Sequence, residues 1–503
     1  MIDRKDLRLI GFRLGNIVLG VGLMMLVPSA VAVAYKEWAI LADFAISISV
    51  SCIIYFIARK LLYTNDTMQH KHSMAVIAMG WIVGMMIAAI PLWLSGSVNS
   101  YLDACFESMS GWTTTGLTLV PDIDHLSYSM NIWRDIMQFV GGCGIVIFTI
   151  AFLVRSGKGE VKMYLAEGRD ERIYPNMRTT SRIIIGISLL YLLIGTILLS
   201  LVGWYEGLPF ENAVYDAVCY TMAAFSTGGF VPHSQSMLFY HSTLFEVASV
   251  IIMVIGAFNF ALHFAVLSGD RKEIYRNVEI LTLTMTVVVL TIVTTSWLIH
   301  YNVYSGSVVL FRKGFYQLIS AHTTAGLSTI YPLQMSKEWP SLPEFAITIA
   351  MLLGACACST GGGFKALRVA ITAKLFSREI KKTIYPRNAV IIEKYHHLTD
   401  TLLRDDYARG VLLVIIGYIV LFTLGTIITM LYDYNIVDSM FESSSAVANA
   451  GLSSGITSPS MPALLKVTYI FLMWAGRLEI MSVFTMVGIL YVGMRKLKRR
   501  YSL

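Results

Sequence analysis

Thr113-Thr114-Thr115-Gly116-Leu117-Thr118, Phe225-Ser226-Thr227-Gly228-Gly229-Phe230, Thr323-Thr324-Ala325-Gly326-Leu327-Ser328 and Ala448-Asn449-Ala450-Gly451-Leu452-Ser453 follow one pattern, small residues leading into glycine. With Gly116, Gly228, Gly326 and Gly451 taken as equivalent, the pattern returns roughly every hundred residues, as an internal repeat does. Similarity upstream supports the register. Phe106-Glu107-Ser108 and Phe441-Glu442-Ser443 precede their glycines by the same distance, and Ser110, Ser320 and Ser445 share one offset. Each run closes a segment (102–118, 212–230, 312–328 and 437–453) too short to cross a bilayer and too apolar for an ordinary loop.

The surroundings of these segments are those of a membrane protein. The chain has 503 residues, 56% of them hydrophobic and only 14% charged, where a soluble domain carries about 25% charge. Stretches able to span a bilayer run near 14–35, 38–59, 73–94, 130–154, 181–203, 241–268, 278–301, 344–376, 410–432 and 463–494. That makes about ten, some broken or long enough to tilt. Arg4, Lys5, Arg8 and Arg13 precede an apolar run that resembles a secretory signal, but its length and the span that follows favour a retained first helix.

Basic residues set the orientation. Arg155, Lys158, Lys162, Arg169, Arg172, Arg178 and Arg182 form one cluster, Lys381, Lys382, Arg387, Lys394, Arg404 and Arg409 another, and Arg495-Lys496-Leu497-Lys498-Arg499-Arg500 a third. With both termini in the cytoplasm, every strongly basic segment falls on one side. The net charge of +7 then points to anionic lipid, and no nucleic-acid partner is expected. Cys52, Cys105, Cys143, Cys219, Cys356 and Cys358 lie in or beside apolar runs and read as buried free thiols.

Non-helical backbone at membrane depth is tolerated only inside protein or along a water-filled cavity. Four such segments can surround one axis and present carbonyl oxygens that replace an ion's hydration shell. Glycine permits the torsions this needs, and each half-helix ends with its negative pole toward the cation. Taken singly, each element also fits a small-residue packing face. Four in corresponding places favour a pore.

Two further features lie at depth. Ser359-Thr360-Gly361-Gly362-Gly363-Phe364-Lys365 interrupts the 344–376 span, since each glycine costs a helix about 1 kcal/mol relative to alanine. It is not a phosphate loop, because no Gly-Lys followed by Ser or Thr ends it. An unwound stretch there can plug a cavity or simply kink the helix. Lys365 and Arg368 anchor its inner end or snorkel to lipid. Arg477 lies roughly 20 Å into its span at about 1.5 Å per residue, where an arginine costs at least about 2.5–3.5 kcal/mol and calls for a cavity or a partner. Glu479, two positions on, would face away from it along one helix. His322 and His263 read as hydrogen-bonded scaffold, and Glu107 and Glu442 as packing behind the half-helices.

On these residues the chain resembles the Trk/Ktr/HKT superfamily of potassium transport subunits over essentially its whole length. It is most similar to the TrkH-type membrane subunits, which share the extra pair of spans before residue 63. The fourth element, Ala448-Asn449-Ala450-Gly451, is as similar to the Ktr form. The resemblance implies an all-α membrane protein of four span–half-helix–filter–span repeats around a pseudo-fourfold pore. The divisions are 1–63, 64–160, 161–268, 269–380 and 381–503. It implies K+ as permeant ion, held by Thr113, Thr114, Thr115, Gly116, Ser226, Thr227, Gly228, Thr323, Thr324, Ala325, Gly326, Ala448, Asn449, Ala450 and Gly451. Ser359, Thr360, Gly361, Gly362, Gly363, Lys365, Arg368 and Arg477 would form the gate, Arg477 as an electrostatic barrier. A homodimer in the bacterial cytoplasmic membrane, docked to a nucleotide-binding RCK-type regulatory subunit, is implied as well.

The chemistry of the spans weighs the alternatives. A proton- or sodium-coupled secondary transporter would carry mid-span carboxylates, and most Asp and Glu here sit at span edges or on half-helices. No catalytic constellation or nucleotide-hydrolysis motif falls in the spans, so an enzyme is not expected.

Overall fold

A computed structural model describes residues 4–144 and 177–488, except residues 65, 67, 68, 387, 390, 481, 485 and 487. The basic clusters from Arg155 to Arg172 and from Arg495 to Arg500 lie outside the described residues, as do residues 145–154 of the fourth expected span. Six described helices are long and apolar enough to cross a membrane: Lys5–Ala34, Trp38–Leu62, His72–Leu94, Thr179–Tyr205, Val278–His300 and Asp405–Met430. Their outer faces stay apolar. Leu189, Leu193, Ile197 and Leu201, one turn apart, are each about half exposed, a stripe that water would disfavour and hydrocarbon would not.

Four shorter helices enter the bundle between these spans: Tyr101–Trp112, Phe210–Ser226, Ser307–Thr323 and Ile436–Ala448. The expected half-helices are thus present. Ser100 caps the first by accepting the Asp103 N–H at 3.1 Å, and Asn435 caps the last by accepting that of Val437 at 3.1 Å. Such caps satisfy donors that an isolated helix start leaves open. All four end in the same way. The N–H groups of Thr115, Gly228, Ala325 and Ala450 donate to the carbonyls of Ser110, Ala223, Ser320 and Ser445 at 2.8–2.9 Å, closing a left-handed C-terminal turn.

The second helix of each unit ends at a turn, a bend or a loop. Tyr128–Cys143 ends at Gly144, with φ of 99°. Thr243–Gly256 and Phe260–Leu267 meet at a 100° bend, so the span expected over 241–268 is not continuous. Ser341–Leu353 gives way to loop residues 354–365 before Ala366–Ile384. Ala463–Arg477 ends before Glu479 and Ile480, both at positive φ. The break in the second unit has a local cause. Asn259 accepts the Ala261 N–H at 2.7 Å and starts a new helix, while His263 Nε2 lies 2.9 Å from the Ile255 carbonyl left behind.

The described residues are all-α apart from one small antiparallel hairpin, Lys394–His397 paired with Thr399–Leu402. It stands between the third and fourth units, at the end of the molecule opposite the mouth described next.

Candidate functional site

The four non-helical segments close into a ring. A Cβ placed on Gly116 would fall 2.5 Å from the Gly228 carbonyl oxygen, one on Gly229 3.2 Å from that of Ala325, and one on Gly326 2.8 Å from that of Ala450. One on Gly451 would overlap the Thr115 oxygen. Glycines and carbonyls therefore alternate in the cyclic order of units one, two, three and four. At this ring a side chain would collide with the next unit's backbone, which is the physical reason for glycine there. Gly116, Gly229, Gly326 and Gly451 have φ of 86°, 80°, 72° and 80°.

The second unit corrects the expected register. Gly229, not Gly228, stands in the ring, and Gly228 takes the place of Thr115, Ala325 and Ala450. Two residues before each ring glycine the chain turns left-handed, at Thr114, Thr227, Thr324 and Asn449, with φ of 56°, 51°, 56° and 55°. The doubled glycine allowed two alignments, and the Thr-x-Gly spacing of the first and third runs was the signal for the right one. Gly228 packs outward, where a Cβ would strike Gln138. Thr113, Ser226, Thr323 and Ala448 are buried behind the ring.

Above the ring lies a cavity of about 190 Å³, lined by its four glycines and by Thr118, Phe230, Ser328 and Ser453. Carboxylates brace the segments that climb away from it. Glu107 accepts from Leu119 N at 2.9 Å and Thr118 Oγ1 at 2.9 Å, and pairs with Arg134 at 2.9 Å, both wholly buried. The Arg134 guanidinium lies 4.2 Å over the Phe230 ring. Glu442 accepts from Ser454 N at 2.8 Å and Thr457 N at 3.0 Å. Gln317 holds the equivalent place in the third unit and bonds Ser328 Oγ at 2.7 Å. Gln138 grips Phe230 at both its N–H and its carbonyl, 2.9 Å each. These residues make a rigid frame, and the carboxylates are spent on protein donors.

Beneath the ring runs the loop 354–365. Thr360 Oγ1 lies 3.0 Å from the Phe225 carbonyl and 2.7 Å from that of Gly256, and the Gly362 N–H donates to Thr324 Oγ1 at 2.8 Å. A Cβ on Gly362 would overlap the Ala448 carbonyl, and one on Gly361 would come within 3.0 Å of that of Thr323. Gly363 turns with φ of 77°. Ser359 Oγ donates to Cys356 O at 2.6 Å. The loop also repairs the broken helix beside it, through Cys356 N to Ala257 O at 3.1 Å and Phe260 N to Cys358 O at 3.3 Å.

Arg477 completes this floor. Its Nη1 donates to the Thr360 carbonyl at 2.8 Å and to Thr114 Oγ1 at 3.3 Å, and its Nη2 to the carbonyls of Gly141 at 2.6 Å and Gly142 at 3.1 Å. It thus joins the loop to the C-terminal end of Tyr128–Cys143. Arg368 pairs with Glu479, and Lys365 donates to the Gly361 carbonyl. Lys365 is 6% exposed, so the lipid-snorkelling alternative does not hold for it. His322 Nε2 lies 2.7 Å from Thr286 Oγ1 and His263 Nδ1 3.1 Å from the Tyr191 hydroxyl, both as scaffold. The six cysteines form no disulfide, and all but Cys52 are buried.

Comparison with known proteins adds to this geometry. Residues 36–491 match the family model TrkH, described as a cation transport protein. The chain is 33% identical over 492 residues to an uncharacterized cation transporter of Methanocaldococcus jannaschii, covering 97% of each. It is 28% identical over 503 residues to the Trk system potassium uptake protein TrkG of Escherichia coli, covering 96% of this chain and 98% of that one. In fold it is similar to the crystal structure of the potassium transporter TrkH from Vibrio parahaemolyticus, with a TM-score of 0.82 and 24% identity over 95% of this chain and 98% of that one.

Proposed function

This chain belongs to the TrkH family of cation transport proteins, and from that premise we propose that it takes up potassium ions through a gated, K+-selective channel-like pore. The observation that carries the reading is the closed ring of four glycines and four carbonyls beneath an open cavity. Neutral carbonyl oxygens at Thr115, Gly228, Ala325 and Ala450 suit a dehydrated monovalent ion. The C-terminal ends of four helices add a favourable potential for a cation. The family is one of transporters, not of enzymes.

On this reading the loop 354–365 and Arg477 form the gate. They occupy the floor of the pathway, and Arg477 places a positive charge where an ion must pass. The loop is held by single hydrogen bonds and glycine torsions, which rearrange at small cost. The divisions near residues 63, 160, 268 and 380 then mark an N-terminal helix pair and four pore units. Both termini lie in the cytoplasm, the cavity faces outward and the hairpin faces inward. The protein sits in the cytoplasmic membrane as a homodimer, each protomer with its own pore, and receives an RCK-type regulatory subunit on its basic inner face. An inside-negative potential supplies about 2.3 kcal/mol per charge per 100 mV, enough to drive K+ inward.

The test is the reversal potential of the purified protein in planar bilayers under opposed K+ and Na+ gradients. The reading expects it to follow the K+ gradient. A reversal potential that follows an imposed proton or Na+ gradient instead would support a coupled secondary transporter.

A further inference from the structure

Glu279 opens the long helix Val278–His300 and is 1% exposed. Its Oε1 accepts the N–H of Ala357, within the intramembrane loop, at 2.6 Å. Its Oε2 lies 3.6 Å from His397 Nδ1 and 3.5 Å from Asn259 Nδ2. His397 belongs to the hairpin, whose neighbouring His396 lies 3.0 Å from Glu273 through Nε2 and 2.7 Å from Asp400 through Nδ1. Glu273 also accepts the Leu398 N–H at 3.0 Å. One buried carboxylate therefore binds the loop with one oxygen and lies within ion-pair range of the hairpin with the other, where His397 Nδ1 is also 3.3 Å from Asn277 Oδ1.

We propose that Glu279 is a positioning residue that ties the loop beneath the ring to the hairpin, so that charge on the hairpin histidines sets how firmly the loop is held. The consequence for ion flux rests on the reading of that loop as a gate. A carboxylate accepts an N–H about twice as strongly as a neutral acceptor does, and an imidazolium close by is attracted to it. His396 outside the membrane has its pKa raised, first by its hydrogen bond to Glu273 and then by that to Asp400. Arg276 and Lys394, the cations beside Asp400, keep their charge throughout the histidine range.

The raised value of His396 makes its pairing with Glu273, and so the hairpin's docking, fully effective below the ordinary value of about 6.5 and lost as pH climbs through the raised one. Inner acidity holds the loop, and inner alkalinity releases it.

Hydrogen exchange of residues 354–365 tests this in the reconstituted full chain, corrected for intrinsic rates, at about pH 6 and about pH 8. The wild type should exchange faster at the higher pH, by a factor on the order of ten. Glu279→Gln keeps the shape and an acceptor for Ala357, and His396→Asn removes the titrating group and leaves Glu279 in place; both should flatten that dependence. A wild type with no dependence, or a Glu279→Gln protein that keeps it, overturns the proposal. K+ flux measured on the same samples separates the two readings. Exchange that follows Glu279 while flux stays constant supports the tie and counts only against the loop as gate.

Discussion

At the scale of single residues, the ring depends on turns that its own side chains resist. Three of the four left-handed positions are threonines, where a β-branched residue costs on the order of 1–3 kcal/mol. Surrounding contacts offset this strain, and some come from the floor below. Thr114 receives Arg477, Thr324 receives the Gly362 N–H, and Thr227 Oγ1 lies 3.3 Å from Thr360 Oγ1. The torsions that shape the ring and the contacts that close the floor thus share side chains. Gly229→Ser should lower K+ over Na+ permeability on the order of tenfold, about 1.4 kcal/mol, as should Gly116→Ser. Gly228→Ser should instead lower the thermal midpoint, because its new side chain meets Gln138 and not the ring. Reversal potentials and melting curves of the three variants distinguish these outcomes. Arg477→Ala removes a charge worth about 3 kcal/mol at about 6 Å and an effective dielectric of about 20. Flux into proteoliposomes should rise several-fold or more, and an unchanged flux would take Arg477 out of the pathway.

At the scale of elements, each pore helix is useful only if the segment after its turn is held at a fixed height. The brace differs from unit to unit, with Glu107 and Arg134 in the first, Gln138 in the second, Gln317 in the third and Glu442 in the fourth. Removing one partner of a buried pair strands the other, at about 3–5 kcal/mol. Glu107→Ala and Arg134→Ala should each lose stability of that order in denaturant melts, and the double variant should lose less than their sum. Losses that simply add would show the pair to be uncoupled. The bend in the second unit belongs to this scale too, because the loop of the third unit supplies partners for the backbone groups it leaves open.

At the scale of the whole molecule, the fourfold plan was legible because it rests on local signals. Small residues before glycine, a capped half-helix and apolar stretches of spanning length each appear in the sequence within a few residues. The intramembrane loop was legible for the same reason, since three consecutive glycines cannot continue a helix at low cost. The partners of Arg477 were not, because Gly141, Gly142 and Thr360 are contributed by units far apart in the chain. The register of the second run is ambiguous locally because Gly228-Gly229 satisfies two patterns, and the Thr-x-Gly spacing of the other runs or the neighbouring unit's carbonyl is needed to choose between them. The break at Asn259 had a readable sign, a capping residue inside an apolar run, but its meaning needed the loop lying against it. Glu279 carries no sign in the sequence beyond that of an acidic residue at a helix start. Its link to the loop exists only in three dimensions.

The central claim is that one ring of backbone oxygens, drawn from four units, holds the permeating ion. Anomalous diffraction from crystals grown in Rb+ or Tl+ examines it most directly. The account predicts a peak on the ring axis, equidistant from the carbonyls of Thr115, Gly228, Ala325 and Ala450 and weakened when Na+ replaces the heavier ion. An axis empty at saturating Rb+, with the ion bound elsewhere in the chain, would contradict it.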